Sequence, residues 1–211
     1  MTMTMMTSET VAPVAFRVAE LEDRAAQQTL AMASTLVSLI DLRDHYTGGH
    51  SSRVADYCRK IGVSLGLPDE DVDEVVLAAS LHDIGKIGVP DRVLLKEGRL
   101  DEDEFGWIRR HPEWGWLALR NVNDFQQASL LVLHHHERWD GNGYPGNLRG
   151  REIPMGSRII AVADTYDALT TNRPYRSART RDEAVREIVR SMGTQLDVDV
   201  VRAFCDVAGT F

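Results

Sequence analysis

The stretch DEDVDEVVLAASLHDIG, residues 69–85, sets the reading of the whole chain. Val72, Val75, Val76 and Ala79 recur at steps of three and four, the period that places side chains on one face of an α-helix. Continuing that face reaches His82 and Asp83 just before Gly85, so a core-facing stripe ends in an imidazole beside a carboxylate. The pattern recurs on both sides. His50, Val54, Tyr57, Ile61 and Leu65 form a stripe that follows Gly48-Gly49 and stops at Gly66 and Pro68. Asp101 and Glu104 form a capping box for a helix carrying Phe105 and Ile108 toward His111-Pro112, where the proline opens another helix. Phe125, Ala128, Val132 and His135 step by three, four and three, with His136 four after Val132.

Between these stripes, residues 87–100 read as a short loop. Residues 137–154, ERWDGNGYPGNLRGREIP, hold four glycines and two prolines and read as a longer one. Helices are expected from Ser157, carrying Ile160, Ala163, Asp164 and Asp167, and from Thr180, where Glu183 completes a second capping box. A last short helix holds Val200, Val201 and Phe204. With no alternating strand pattern, the expectation is an all-α bundle of about seven or eight helices. Residues 1–17, interrupted by Pro13, read as a flexible leader, and 18–44 as an N-terminal helix with the stripe Ala26, Leu30, Ala33, Val37 and Ile40. That stripe lasts only about two heptads, so it suits either pairing with a second copy or docking onto its own domain. The remainder, 45–211, is read as the main domain.

The 211 residues carry 24 Lys and Arg against 32 Asp and Glu, a net charge of −8, which argues against duplex DNA or RNA and anionic membranes as partners. No run of eighteen apolar residues spans a membrane, and the N-terminus lacks an export signal. Two distant cysteines, Cys58 and Cys205, make neither a redox pair nor a secretory framework, and fit a reducing cytoplasm.

All seven histidines lie between positions 45 and 136. Five of them open or close a core-facing stripe, together with Asp83 and Asp164. Burying so many imidazoles and carboxylates without partners costs several kcal/mol for each charged group, on the order of the usual desolvation penalty, and a bound cation offsets it. Mixed nitrogen and oxygen donors without thiolate suit Mn, Fe, Co, Ni or Zn in an open, hydrolytic site rather than a structural zinc knot.

The ordered series YTGGHSSRVA (46–55), LHDIGKIGVPD (81–91), LLKEGRLDEDEF (94–105), HPEWG (111–115), HHERWDGNGYPGNLRG (135–150), IPMGSRIIAVADTYDALTTNRPY (153–175) and GTQLD (193–197) resembles the HD-GYP domains, a branch of the HD phosphohydrolase superfamily. The resemblance covers about Asp44 to Phe204. It implies an HD-domain helical bundle with a glycine- and proline-rich GYP loop. The ligand positions of that family map onto His50, His82, Asp83, His111, His135, His136 and Asp164. Asp83 bridges two divalent ions in that scheme; His50, His82 and Asp164 hold one, and His111 with His135-His136 the other. A glutamate that helps some members hold a third ion is here Tyr46, so a binuclear site is expected, with Fe or Mn foremost and Zn, Ni or Co as alternatives.

The implied activity is a cytoplasmic phosphodiesterase that cleaves cyclic di-GMP to pGpG, and on a second cut to GMP, through a hydroxide bridging the two ions. Three alternatives stay open: hydrolysis of cyclic GMP-AMP, a slow receptor module whose GYP loop contacts a diguanylate-cyclase-type domain, and a phosphohydrolase acting on mononucleotides. Lys86 has two readings, a catalytic contact to phosphate or a solvated lysine that favours a helix end. Arg158 and Arg173 are candidates for phosphate or guanine, Arg158 equally for a helix-side ion pair. Tyr144 packs the site or a partner, or serves only the loop. Asp167 is read as orienting a ligand or capping a helix. His45 and His134 match no ligand position, Trp139 is a candidate base contact, and Cys58 reads as a small buried hydrophobe. Leu196 and Val198 depart from the phenylalanine and proline usual in the family, which questions only the packing of the last helix.

Overall fold

A computed structural model describes residues 49–172 and 177–210, and residues 16, 17, 20, 24, 27–29, 31, 32 and 34–39. Among the described residues beyond 49 the fold is all-α. The helices are α1 (His50–Ser64), α2 (Asp69–Leu81), α3 (Asp91–Leu94), α4 (Glu102–Ile108), α5 (His111–Leu119), α6 (Gln126–Leu133), α7 (Met155–Thr170), α8 (Arg181–Arg190) and α9 (Val198–Val207). A single isolated bridge, Met192 to Leu196, is the only β-type pairing among them.

Local chemistry sets the helix ends. Asp101 accepts from the Glu104 N–H at 2.9 Å while Glu104 accepts from the Asp101 N–H at 2.9 Å, and Thr180 with Glu183 repeats the arrangement on α8. Two expectations are corrected. Helix α7 begins at Met155, two residues before Ser157, because Pro154 supplies the extended entry and lacks an N–H, while the Ser157 hydroxyl donates to the Leu131 carbonyl at 2.9 Å. The loop at 87–100 contains α3, preceded by a 3₁₀ turn at Ile84–Gly88, and it buries Val89 and Val93.

Helices α1 and α2 pack against each other, and α7 packs against both. Val54, Cys58 and Ile61 from α1, Val75, Ala78 and Ala79 from α2, and Ile159, Ile160, Val162 and Ala163 from α7 share one core. Burying apolar side chains of this size stabilises the fold by roughly 1.5–3 kcal/mol each for the larger ones. Helix α9 closes it with Val200, Val201 and Phe204, all fully buried. The departure at Leu196 is accommodated, since that side chain is buried in the same core.

Before residue 49, Val37 packs against this core while Met32, Leu36 and Leu39 stay exposed. The remaining stripe positions Ala26, Leu30, Ala33 and Ile40, and the leader up to residue 15, lie outside the described residues. No helix among the described residues is long and apolar enough to cross a membrane.

Candidate metal centre

The helical stripes deliver their last residues to one point. His82 directly follows α2, His111 opens α5 just after α4, and His135 lies two residues beyond α6. A helix leaves its last carbonyls without intrahelical partners, and each of these histidines uses one of them. The ring Nδ1 lies 2.7 Å from the Ala79 carbonyl in His82, 2.7 Å from Ile108 in His111, and 2.6 Å from Val132 in His135. A carbonyl only accepts, so Nδ1 carries the proton and Nε2 presents its lone pair. His50 reaches the same state differently: its Nδ1 lies 2.7 Å from Asp167 Oδ2. Arg53 in turn donates from Nε to Asp167 Oδ1 at 2.6 Å and from Nη2 to Oδ2 at 3.0 Å. Asp167 therefore fixes the orientation of the His50 ring.

The lone pairs converge. His50 Nε2 lies 3.3 Å from His82 Nε2 and 3.4 Å from Asp164 Oδ1, and His111 Nε2 lies 3.2 Å from His135 Nε2. The His136 ring lies against His135, tilted by 41° with centroids 4.0 Å apart, and completes a second group with His111. Asp83 stands between the groups, with Oδ2 3.8 Å from His50 and 3.5 Å from His82, and Oδ1 3.5 Å from His111. Facing lone pairs at these distances repel unless a cation lies among them, so this nitrogen and carboxylate set fits divalent metal. One glycine makes the convergence possible. A Cβ at Gly85 would overlap the His111 carbonyl oxygen, so the turn after Asp83 reaches the start of α5 only without a side chain.

Charge is divided unevenly across the cluster. Burial alone would raise Asp83, yet the Lys86 ammonium, 2.8 Å from Oδ2, and the imidazoles of His82, His111 and His50 hold it well below the usual carboxylate range. Asp164 is likewise lowered against burial by His50, His82 and His136. Burial lowers His111 to about 3, reinforced by His136, and lowers His136 itself to about 4. Burial also drives His135 well below the ordinary histidine value. His50 runs the other way: burial would lower it, but the bond to Asp167 and the charges of Asp164 and Asp83 raise it.

Lys86 thus faces the cluster through Asp83. The GYP loop folds onto its rim: Glu137, 4% exposed, accepts from the Gly146 N–H at 2.6 Å and the Leu148 N–H at 3.1 Å. A Cβ at Gly143 would strike the backbone of Glu137 and Arg138, which accounts for the glycine. Tyr144 then stacks on His136, with ring centroids 5.0 Å apart.

Arg158 is placed elsewhere. Its Nη1 meets Asp197 Oδ2 at 2.6 Å and its Nε donates to the Ile153 carbonyl, the ion-pair alternative, because Asp197 is the buried cap of α9. Arg173 and His45 lie outside the described residues, and His134 points toward Glu137 rather than the cluster. Arg53 and Glu137 were missed in the sequence. The signal for Arg53 was its place one turn after His50 on the same helix, and for Glu137 only its adjacency to the histidine pair.

A family model described as HD domain matches residues 34–200. A curated relative named cyclic di-GMP phosphodiesterase, from Thermotoga maritima, is 43% identical over 168 residues, covering 79% of this chain and 46% of that protein. The chain spans about half the length of the curated relatives it matches. A solved structure titled as a cyclic GMP-AMP specific phosphodiesterase of V. cholerae is 31% identical, covers 85% of this chain and 40% of that chain, and superposes with a TM-score of 0.54. Bd1817, titled an HDG"Y"P protein from Bdellovibrio bacteriovorus, shares the fold at a TM-score of 0.63 and 20% identity, covering 76% of this chain and 51% of that one. The chain belongs to the HD domain family, and its motif series makes it a member of the HD-GYP branch.

Proposed function

We propose that residues 45–211 form an HD-GYP domain acting as a metal-dependent phosphodiesterase on cyclic di-GMP, releasing pGpG and then GMP. The observation that carries the reading is the division of the Asp83 carboxylate, one oxygen toward His50 and His82 and the other toward His111. A carboxylate so placed suits two ions, one held by His50, His82 and Asp164, the other by His111, His135 and His136, with Fe or Mn as the favoured identity. When bound, such ions would neutralise phosphate charge and acidify a coordinated water.

The chain's own residues supply the rest. Asp167 and Arg53 keep His50 in the tautomer that offers Nε2. The Lys86 ammonium, held 2.8 Å from Asp83, is a compact cation for a non-bridging phosphate oxygen. Tyr144, held on His136 by the loop that Glu137 anchors, offers a hydroxyl whose proton burial retains well above the usual phenol value. The free thiols Cys58 and Cys205 fit a cytoplasmic setting. In this reading the exposed Met32, Leu36 and Leu39 belong to a contact with a second copy, and the outer GYP loop to a contact with a cyclase-type domain.

The test is hydrolysis of cyclic di-GMP by protein loaded anaerobically with Fe(II) or Mn(II), with products separated by chromatography beside Asp83→Ala. The expected result is pGpG or GMP from the wild type alone. Two bound ions without product would overturn cyclic di-GMP as substrate and direct attention to cyclic GMP-AMP, the substrate named for the V. cholerae structure.

A further inference from the structure

A cavity of about 290 Å³ opens directly beside the ligand cluster, with His135, His136 and Asp164 forming one end. Two segments distant in sequence meet in its lining. The Trp139 N–H donates to the Gln195 carbonyl at 3.1 Å, and the Asp140 N–H to the Thr194 carbonyl at 2.8 Å, so the turn before α9 is stitched to the start of the GYP loop. That stitch brings Gln195 and Arg138 to the same wall. Helix α7 lines it with Ala161, Thr165, Ala168 and Leu169, and Glu137 adds a carboxylate whose oxygens are held by the Gly146 and Leu148 N–H groups.

Two polar groups of this lining keep hydrogen-bonding capacity in reserve. Arg138 is held in place by Asp140, with Nε donating to Oδ1 at 3.1 Å and Nη2 to Oδ2 at 2.7 Å, which leaves Nη1 without a hydrogen-bond partner among the described residues. The Gln195 side-chain amide likewise has none among them, although its backbone is engaged. A concave pocket that combines apolar surface with convergent polar groups is the usual form of a small-molecule site, and the volume lies near the lower bound of about 300 Å³ for such pockets. It admits one base with its ribose rather than a whole cyclic dinucleotide.

We infer that this cavity seats one guanine base of the substrate, with Arg138 Nη1 and the Gln195 amide reading its hydrogen-bonding edge and the base lying on Ala161, Ala168 and Leu169. The inference rests on the phosphodiesterase reading above and adds the residues that select the base. A guanidinium only donates, which matches the O6 and N7 acceptors of guanine and opposes the N6 amino donor of adenine. The amide of Gln195 supplies both an acceptor and a donor for the rest of that edge. The scissile phosphate then falls at the ligand end of the cavity, the end that Lys86 and Asp83 serve.

The test compares wild type with Gln195→Met and Gln195→Ala in the metal-loaded protein, using cyclic di-GMP, cyclic di-AMP and the baseless diester bis(p-nitrophenyl) phosphate. Only the side chain changes, so the backbone stitch through the Gln195 carbonyl is spared. Wild type should prefer cyclic di-GMP over cyclic di-AMP by tenfold or more, on the order of one to two lost hydrogen bonds. Both variants should lower the ratio of kcat/KM for cyclic di-GMP to that for the baseless diester by about tenfold, carried mainly by KM. An unchanged ratio in variants of a wild type that cleaves cyclic di-GMP would overturn the base site and leave the phosphodiesterase reading standing. A wild type that cleaves the baseless diester and no cyclic dinucleotide would overturn both.

Discussion

The two halves of the ligand cluster are built from different materials. On the His50 side, α7 contributes two carboxylates, Asp164 beside the ring and Asp167 behind it, with Arg53 of α1 clamping Asp167. On the His111 side the ligands are imidazoles alone, and the ring protons of His111 and His135 go to the neutral carbonyls of Ile108 and Val132. The consequence is opposite protonation in the metal-free protein: His50 is raised, whereas burial lowers His111 to about 3 and His136 to about 4. Charged partners make His50 proton-seeking. Burial keeps the other half neutral and ready to ligate. Asp83 turns one oxygen toward each half, Oδ2 toward His50 and Oδ1 toward His111.

Removing Asp83 breaks both halves together and gives the largest effect. Asp83→Ala is expected to lower hydrolysis about a thousandfold or more and to reduce the metal content of both groups, measured by turnover and by elemental analysis of the dialysed protein. Next comes pH in the metal-free protein. His111 and His136 stay neutral in the folded state down to about 3 and 4, but titrate near 6.5 in the unfolded chain. The unfolded state therefore binds more protons between those values, and stability falls as pH drops below about 6.5, by roughly 1.4 kcal/mol per pH unit for each such group. His50, raised in the fold, has the opposite sign: its contribution is present below about 6.5 and fades as pH rises through its folded value. Melting the chelator-treated protein at pH 7 and pH 5 should show a lower Tm at pH 5. His136→Asn should shrink that difference and His50→Asn enlarge it; the reverse order would sink the contrast.

Smaller effects sharpen the comparison. Asp167→Asn, or Arg53→Gln at lower cost, is expected to weaken ion binding on the His50 side by about 10–100-fold and to leave the His111 side close to wild type, read from the two phases of a metal titration. Equal weakening of both phases would mean that the network supports the fold and not one ligand. Least of all, Tyr144→Phe keeps the ring on His136 and removes one hydroxyl. A loss in kcat/KM of about fivefold is expected, the value of one ordinary hydrogen bond.

Much of this centre was legible before the tertiary structure. Helical stripes ending in histidine, each followed by a break, already placed His82, His111 and His135 at helix ends facing the core. Composition and periodicity carried no trace of the partners that act across the chain. Arg53 meets Asp167 from 114 residues away, and Arg158 meets Asp197 from 39. Arg158 showed the cost most plainly, since a guanidinium suits phosphate and carboxylate equally and only packing places one of them beside it.

The sequence by itself determined the all-α class, the helix starts at the two capping boxes, the glycine-rich loop and the types of side chain gathered in the cluster, because these follow from period, caps and donor chemistry within a few residues. Tertiary structure alone decided which carboxylate joins the two histidine groups, which arginine supports a ligand and which supports a helix cap. It also decided where a cavity opens between the GYP loop and the turn before α9. Those outcomes depend on distances between segments that are far apart in the chain, and such distances are set only when α1, α2 and α7 share one core.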